Sequence, residues 1–280
     1  MNRIDAKFAE LREQELTAFI PFLTIGDPDV RTSVDIIHEL EKAGASMVEL
    51  GVPYSDPLAD GPVIQASSMR ALKANRISIL DVISAAKTAR EEGSELPFIL
   101  FTYYNPVLQT GLERIFPLLE ESGISGMIIP DLPMEEDEEV RTLAERHGIH
   151  LIPLVAPTSR ERVQRIASRA SGFVYCVSSL GVTGTRTEFH AGIDEFLSTV
   201  KGATTLPVSI GFGISTPEQV ARFSGICDGI VVGSALVRTV EAALPLLTDP
   251  EARQEGLLQI HDFVRTLVGT GSGIARTLKS

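Results

Sequence analysis

The sequence predicts an α/β protein, a (β/α)8 (TIM) barrel formed as a single domain over residues 1–280, with extra N- and C-terminal helices. Three observations predict it. Eight short β-rich runs recur along the chain, at residues 19–23, 47–50, 97–101, 126–129, 150–154, 172–177, 207–210 and 229–232. Each is followed by a helical pattern, and a repeating strand–helix unit of this size builds a parallel sheet. Glycine-rich, polar punctuation follows strand after strand. That favours loops clustered on one barrel face over the single crevice of a doubly wound sheet, the competing architecture.

An amphipathic stretch over 4–16 opens the chain, and a final one over 251–268 closes it. Either could plug the barrel floor or cover its outside. The strand runs show little polar alternation, as expected of parallel strands covered by helices. Between them, amphipathic stretches at 29–43, 78–92, 112–121, 135–147, 160–169 and 216–223 carry apolar residues at helical spacing.

Bulk properties exclude several functions. The net charge of −12 over 280 residues argues against a nucleic-acid surface. An anionic ligand would instead need oriented backbone amides or a helix N-terminus. Cys176 and Cys227 lie in apolar runs without metal spacing. The charged N-terminus does not read as a signal peptide, and no apolar run reaches membrane-spanning length, so the cytoplasm is the expected location.

Two carboxylates carry the chemical signal. Glu49 ends the apolar run Met47-Val-Glu-Leu-Gly51, and Asp60 closes the turn-rich segment that follows. A carboxylate on a buried strand is costly without a task or partner. Paired acids in unequal environments run acid and base chemistry near neutral pH. The same residues could instead be a paired structural acid and a helix cap, and Asp56 an ordinary turn residue. Tyr175, on the sixth strand, faces either the barrel interior or a core contact. The loops after strands six to eight hold Gly181, Gly184, Gly211, Gly213, Gly233 and Ser234. Together they suit a phosphate, which barrels commonly hold after strands seven and eight. No lysine falls on a strand and no histidine pair has ligand spacing, so neither a Schiff base nor a metal is expected. On these grounds a sugar-phosphate isomerase or epimerase, or a silent barrel that activates a partner, remain alternatives.

The motifs add a resemblance. Phe19-Ile-Pro-Phe-Leu-Thr-Ile-Gly-Asp27-Pro, the segment from Glu49 to Pro62, Tyr104-Asn-Pro106, Pro130-Asp-Leu-Pro133, Gly181-Val-Thr-Gly184, Gly211-Phe-Gly-Ile214 and Gly233-Ser234 stand in this order. Together they resemble the tryptophan synthase alpha chain family. The resemblance implies a carbon–carbon lyase that splits indole-3-glycerol phosphate into indole and glyceraldehyde 3-phosphate. It implies Glu49 as the acid/base, Asp60 at the indole N–H and Tyr175 beside them. Phe22, Ile64, Phe212 and Leu100 or Phe101 would sandwich the ring. Gly184, Gly211, Gly213, Gly233 and Ser234 would serve the phosphate, and Thr183 would bond Asp60 on loop closure. Asp56, Pro57, Asn105, Pro106 and Pro133 would meet a pyridoxal-phosphate-dependent beta chain in an α2β2 assembly. This chain itself would need no cofactor.

Overall fold

A computed structural model of the protein describes residues 1–177, 192–211, 213–269, 271 and 273–276. The barrel strands are β1 (Leu16–Thr24), β2 (Val48–Gly51), β3 (Phe98–Phe101), β4 (Ile124–Ile128), β5 (His150–Leu151), β6 (Leu154–Val155), β7 (Val174–Val177), β8 (Val208–Gly211) and β9 (Gly229–Val232), and a short β10 (Ile274–Ala275) follows. The helices are α1 (Arg3–Glu13), α2 (Val30–Lys42), α3 (Pro62–Asn75), α4 (Ile79–Glu91), α5 (Tyr104–Thr110), α6 (Leu112–Glu121), α7 (Glu138–Arg146), α8 (Arg160–Ser168), α9 (Ile193–Ala203), α10 (Pro217–Ser224), α11 (Ser234–Leu247) and α12 (Arg253–Val268).

The strand order is β5-β4-β3-β2-β1-β9-β8-β7-β6. Consecutive members of that order pair in parallel. β5 and β6 are the two halves of the run expected at 150–154. The break falls at Ile152-Pro153, because proline has no N–H to give the ladder. The chain bridges the gap: Ile152 N–H donates to the Met127 carbonyl (2.9 Å), and Pro153 C=O accepts from Tyr175 N–H (3.1 Å). One run therefore touches β4 on one side and β7 on the other, and the ring closes.

Successive side chains on a strand point to opposite faces, which divides the apolar residues into two cores. Leu23, Leu50, Leu100, Met127, Cys176, Ile210 and Ile230 belong to the outer core under the helices. Phe22, Met47, Ile99, Phe101, Ile128, Ile152, Phe173, Tyr175 and Val231 fill the interior. Helix starts follow local chemistry. Thr216 and Gln219 form a capping box ahead of α10, with Pro217 at its first turn. Gly61 and Pro62 open α3.

The terminal elements divide the two roles left open by the sequence. α1 plugs the barrel floor: Ile4, Phe8 and Leu11 join the interior core, and the Phe8 and Phe173 rings meet at 5.5 Å. Asn2 anchors it, its amide donating at 2.8 Å to both Ser125 O and Gly148 O. α12 packs on the outside, where its His261 faces Glu39 of α2 at 3.5 Å. β10 adds an antiparallel pair at the start of β1. Asn105 and Pro106, read from sequence as a turn, lie instead in the first turn of α5, where a proline is tolerated.

Since Phe173 is fully buried against α1, Phe173→Ala is expected to cost about 3–5 kcal/mol, the usual range for emptying a buried aromatic site. Urea unfolding at equilibrium measures it.

Candidate active site

Glu49 sits in the middle of β2, level with Phe22 of β1 and Ile99 of β3. Its inward position follows from the alternation that turns Val48 and Leu50 toward the helices. It is 1% exposed, and its Oε1 has no hydrogen-bond partner among the described residues. Burial raises its pKa to about 8, because an apolar wall solvates the anion poorly.

Asp60 immediately precedes Gly61, the cap of α3, and is buried as well. The Tyr103 hydroxyl donates to Asp60 Oδ2 at 3.0 Å, while Oδ1 has no partner among the described residues. Burial raises the Asp60 pKa to about 6, against the opposing hydrogen bond from Tyr103. The two acids are thus pushed up by different amounts.

Tyr103 did not emerge from the sequence reading. Its hydroxyl also accepts the Ala59 N–H at 3.0 Å, and its ring stacks on Tyr54 with centroids 4.9 Å apart. It therefore pins both ends of the 54–60 loop. The available signal was an aromatic residue just past the end of β3.

Tyr175 projects inward from β7 and is 3% exposed. Burial, then the nearby Glu49 charge, raises its pKa well above the ordinary value. Room for it comes from Gly211, where a Cβ would lie 2.4 Å from the Tyr175 hydroxyl. Gly211 thus acts on the tyrosine and does not line the cavity with the other phosphate candidates.

Phe22, Glu49, Asp60, Ile64, Phe101, Tyr175, Gly213, Val231, Gly233 and Ser234 line one narrow cavity. Phe22 and Phe101 meet edge to face at 5.4 Å and 86°, an aromatic lining suited to a further ring. In the same cavity, Gly213 has φ +101° and Gly233–Ser234 opens α11 beside Phe22 and Ile64. A glycine turn and a helix N-terminus there offer amides to an anion. Val231, unmarked by any motif, completes the wall.

Other expected residues fall elsewhere. Leu100 belongs to the outer core, one residue out of phase with Phe101, and does not reach the cavity. Thr183, Gly184 and Phe212 lie outside the described residues. Asp56, Asn105 and Pro133 are exposed and Pro57 and Pro106 half-buried, in segments that follow β2, β3 and β4 on the same barrel face. A wider cavity outside the ring, lined by Leu132, Pro133, Arg141, Arg162 and Arg169 among others, holds neither acid. Among the described residues, no group of three or more His, Cys, Asp or Glu could hold a metal ion.

Comparison with known proteins matches this geometry to a family. The profile described as tryptophan synthase alpha chain matches residues 8–264. The tryptophan synthase alpha chain of Geobacillus kaustophilus is 51% identical over 249 residues, 89% of this chain and 92% of that one. That of Bacillus subtilis (strain 168) is 49% identical over 251 residues, 90% and 94% of the two chains. Among solved structures, tryptophan synthase subunit alpha from Legionella pneumophila superposes with a TM-score of 0.82 at 35% identity, covering 94% of this chain and 98% of that one. A Mycobacterium tuberculosis tryptophan synthase chain gives 0.84 at 32%, covering 95% and 96%. With a family profile spanning most of its length and relatives at half identity behind it, the chain belongs to the tryptophan synthase alpha chain family.

Proposed function

We propose that Glu49 and Asp60 carry the reaction of this family, the lyase cleavage of indole-3-glycerol phosphate to indole and glyceraldehyde 3-phosphate in tryptophan biosynthesis. The observation that supports these roles most is the placement of two unequally perturbed acids in one apolar cavity with a glycine-rich corner.

The chemistry needs an electron sink, because the bond to be broken joins two carbons. Protonating C3 of the indole makes an indolenine cation, which is that sink. With a pKa near 8, Glu49 starts protonated at neutral pH and delivers the C3 proton. The resulting carboxylate then takes the C3′ hydroxyl proton. The C3–C3′ bond breaks, its electrons restore the indole, and C3′ becomes the aldehyde carbon. Glu49 ends as it began, so the protons balance. Asp60, ionised above about pH 6, faces the ring nitrogen and stabilises the positive charge that grows there. Tyr175 packs beside Glu49 and fixes its side of the ring. Phe22, Ile64 and Phe101 clamp the indole faces, with Phe212 as a further ring contact. Gly213, Gly233 and Ser234 bind the phosphate through amides, together with Gly184. Thr183 serves as a hydrogen-bond partner of Asp60.

Indole leaves toward a beta chain that carries pyridoxal phosphate, docked on the barrel face above the cavity in an α2β2 assembly. Asp56, Pro57, Asn105, Pro106 and Pro133 are its contacts. Two exposed leucines on the same face support that surface, Leu58 at 76% and Leu108 at 50%. A cytoplasmic location fits this role and a chain in which, among the described residues, no helix is long and apolar enough to cross a membrane.

Glu49→Gln is expected to lower kcat by roughly 10²–10⁴, the worth of a positioned acid/base, with little change in the affinity of a substrate analogue. Steady-state kinetics and calorimetry measure the two together. In the wild type, kcat/KM should trace a bell, rising near pH 6 as Asp60 ionises and falling near pH 8 as Glu49 does. A flat profile between pH 5 and 9 contradicts the assignment. Stability carries the same signature. The folded state holds the Glu49 proton that the unfolded chain releases above its ordinary value of 4.5. Its contribution is therefore full below that pH and lost as pH rises through about 8. Glu49→Gln should raise Tm above wild type by several degrees at pH 8.5, on the order of a few kcal/mol, and the gain should vanish near pH 4.

A further inference from the structure

α3 leads away from Asp60 and brings Ile64, a proposed ring contact, to the cavity, while α11 begins with Ser234, a proposed phosphate contact. The two helices meet at the cavity, where a Cβ on Gly233 would lie 3.9 Å from Ile64 Cδ1. One turn and a half along α3, Arg70 joins them a second time. Its Nη2 donates to Asp27 Oδ2 at 2.8 Å and its Nε to Asp27 Oδ1 at 3.1 Å. Its Nη1 donates to Glu241 Oε1 on α11 at 2.7 Å. Asp27 follows β1, is 1% exposed, and accepts the Ser67 hydroxyl at 2.7 Å as well.

We propose that Arg70, gripped by Asp27 and Glu241, is a positioning residue that sets the spacing between the ring contact on α3 and the phosphate contacts at the start of α11. The proposal rests on the ring and phosphate roles given above. Arg70 supplies a rigid, planar fork, which fixes direction as well as distance. The Asp27 side of the fork anchors α3 to the barrel wall through a buried acid. The Glu241 side is half exposed, with 46% of that side chain accessible, so it adds little to stability. Its consequence is geometric: it fixes α11 against α3. A substrate that carries both an indole and a phosphate needs both sets of contacts at once, and its gain over two separate fragments depends on their spacing. Neither fragment alone is sensitive to it.

The test compares wild type, Arg70→Met, Arg70→Lys and Glu241→Gln in the full chain. It measures KM for indole-3-glycerol phosphate and the inhibition constants of indole and of glycerol 3-phosphate, each added alone. Arg70→Met should raise KM about tenfold, the scale of a sub-ångström misplacement, and leave both fragment constants within about twofold. Arg70→Lys should recover part of the loss, and Glu241→Gln should raise KM about threefold with the fragments unmoved. The proposal is overturned if KM and both fragment constants move together, as a general loosening would produce, or if KM does not move. Should Arg70→Met fail to fold, Glu241→Gln decides alone by the same criterion. A wild type that does not cleave the substrate sinks the functional reading and this inference with it. A wild type that cleaves it, with variants of unchanged KM, sinks only the inference.

Discussion

The structure turns on one unfavourable placement: a carboxyl group in the wall of an apolar barrel. Among the described residues Glu49 Oε1 has no hydrogen-bond partner, and Phe22, Phe101, Tyr175 and Val231 line the cavity with it and Asp60. Water would relieve it, but the interior is closed by α1 below and by packed rings around it. The group answers by holding its proton to an unusually high pH. That single consequence makes a weak acid into a donor at neutral pH and its conjugate base into a strong acceptor. Asp60, with the Tyr103 hydroxyl against one oxygen, keeps an intermediate pKa and is charged when Glu49 is not.

The rest of the fold positions this contrast. Closure of the ring through the Ile152-Pro153 break completes the wall around the interior. Glycines sit where rings need space: Gly51 lies under the Phe22 ring and Gly211 beside the Tyr175 hydroxyl. Tyr103 ties the Asp60 loop to the end of β3, and α3 and α11 bring Ile64 and Ser234 to the same cavity. The loops proposed to meet the beta chain emerge from β2, β3 and β4, one of them pinned by the tyrosine that holds Asp60. Loop position and the electrostatics of the site are therefore joined by one hydroxyl.

Much of this was legible in the chain. Eight apolar runs separated by amphipathic stretches gave the closed barrel, because strands covered on both faces leave no polar alternation. Glu49 stood out as a charge inside such a run, and Gly213, Gly233 and Ser234 as backbone openings at successive strand ends. What escaped depended on phase and on distant contacts. Leu100 and Phe101 look alike in sequence, and one residue of register sends the first outward and the second inward. Val231 is a plain strand valine whose role comes only from ring closure. Tyr103 is 43 positions from the acid it holds, so local pattern could not connect them. Asn105-Pro106 read as a turn because proline usually breaks structure, whereas a first helical turn accepts it.

The displaced ionisation of Glu49 in the ligand-free chain can be followed directly. Carbon-13 NMR of protein labelled at the glutamate side-chain carboxyls, with Glu49→Gln to assign the signal, follows it through pH. One carboxyl resonance should titrate near pH 8 and be missing from the variant. A Glu49 signal that titrates near 4.5, with the exposed glutamates, would contradict it.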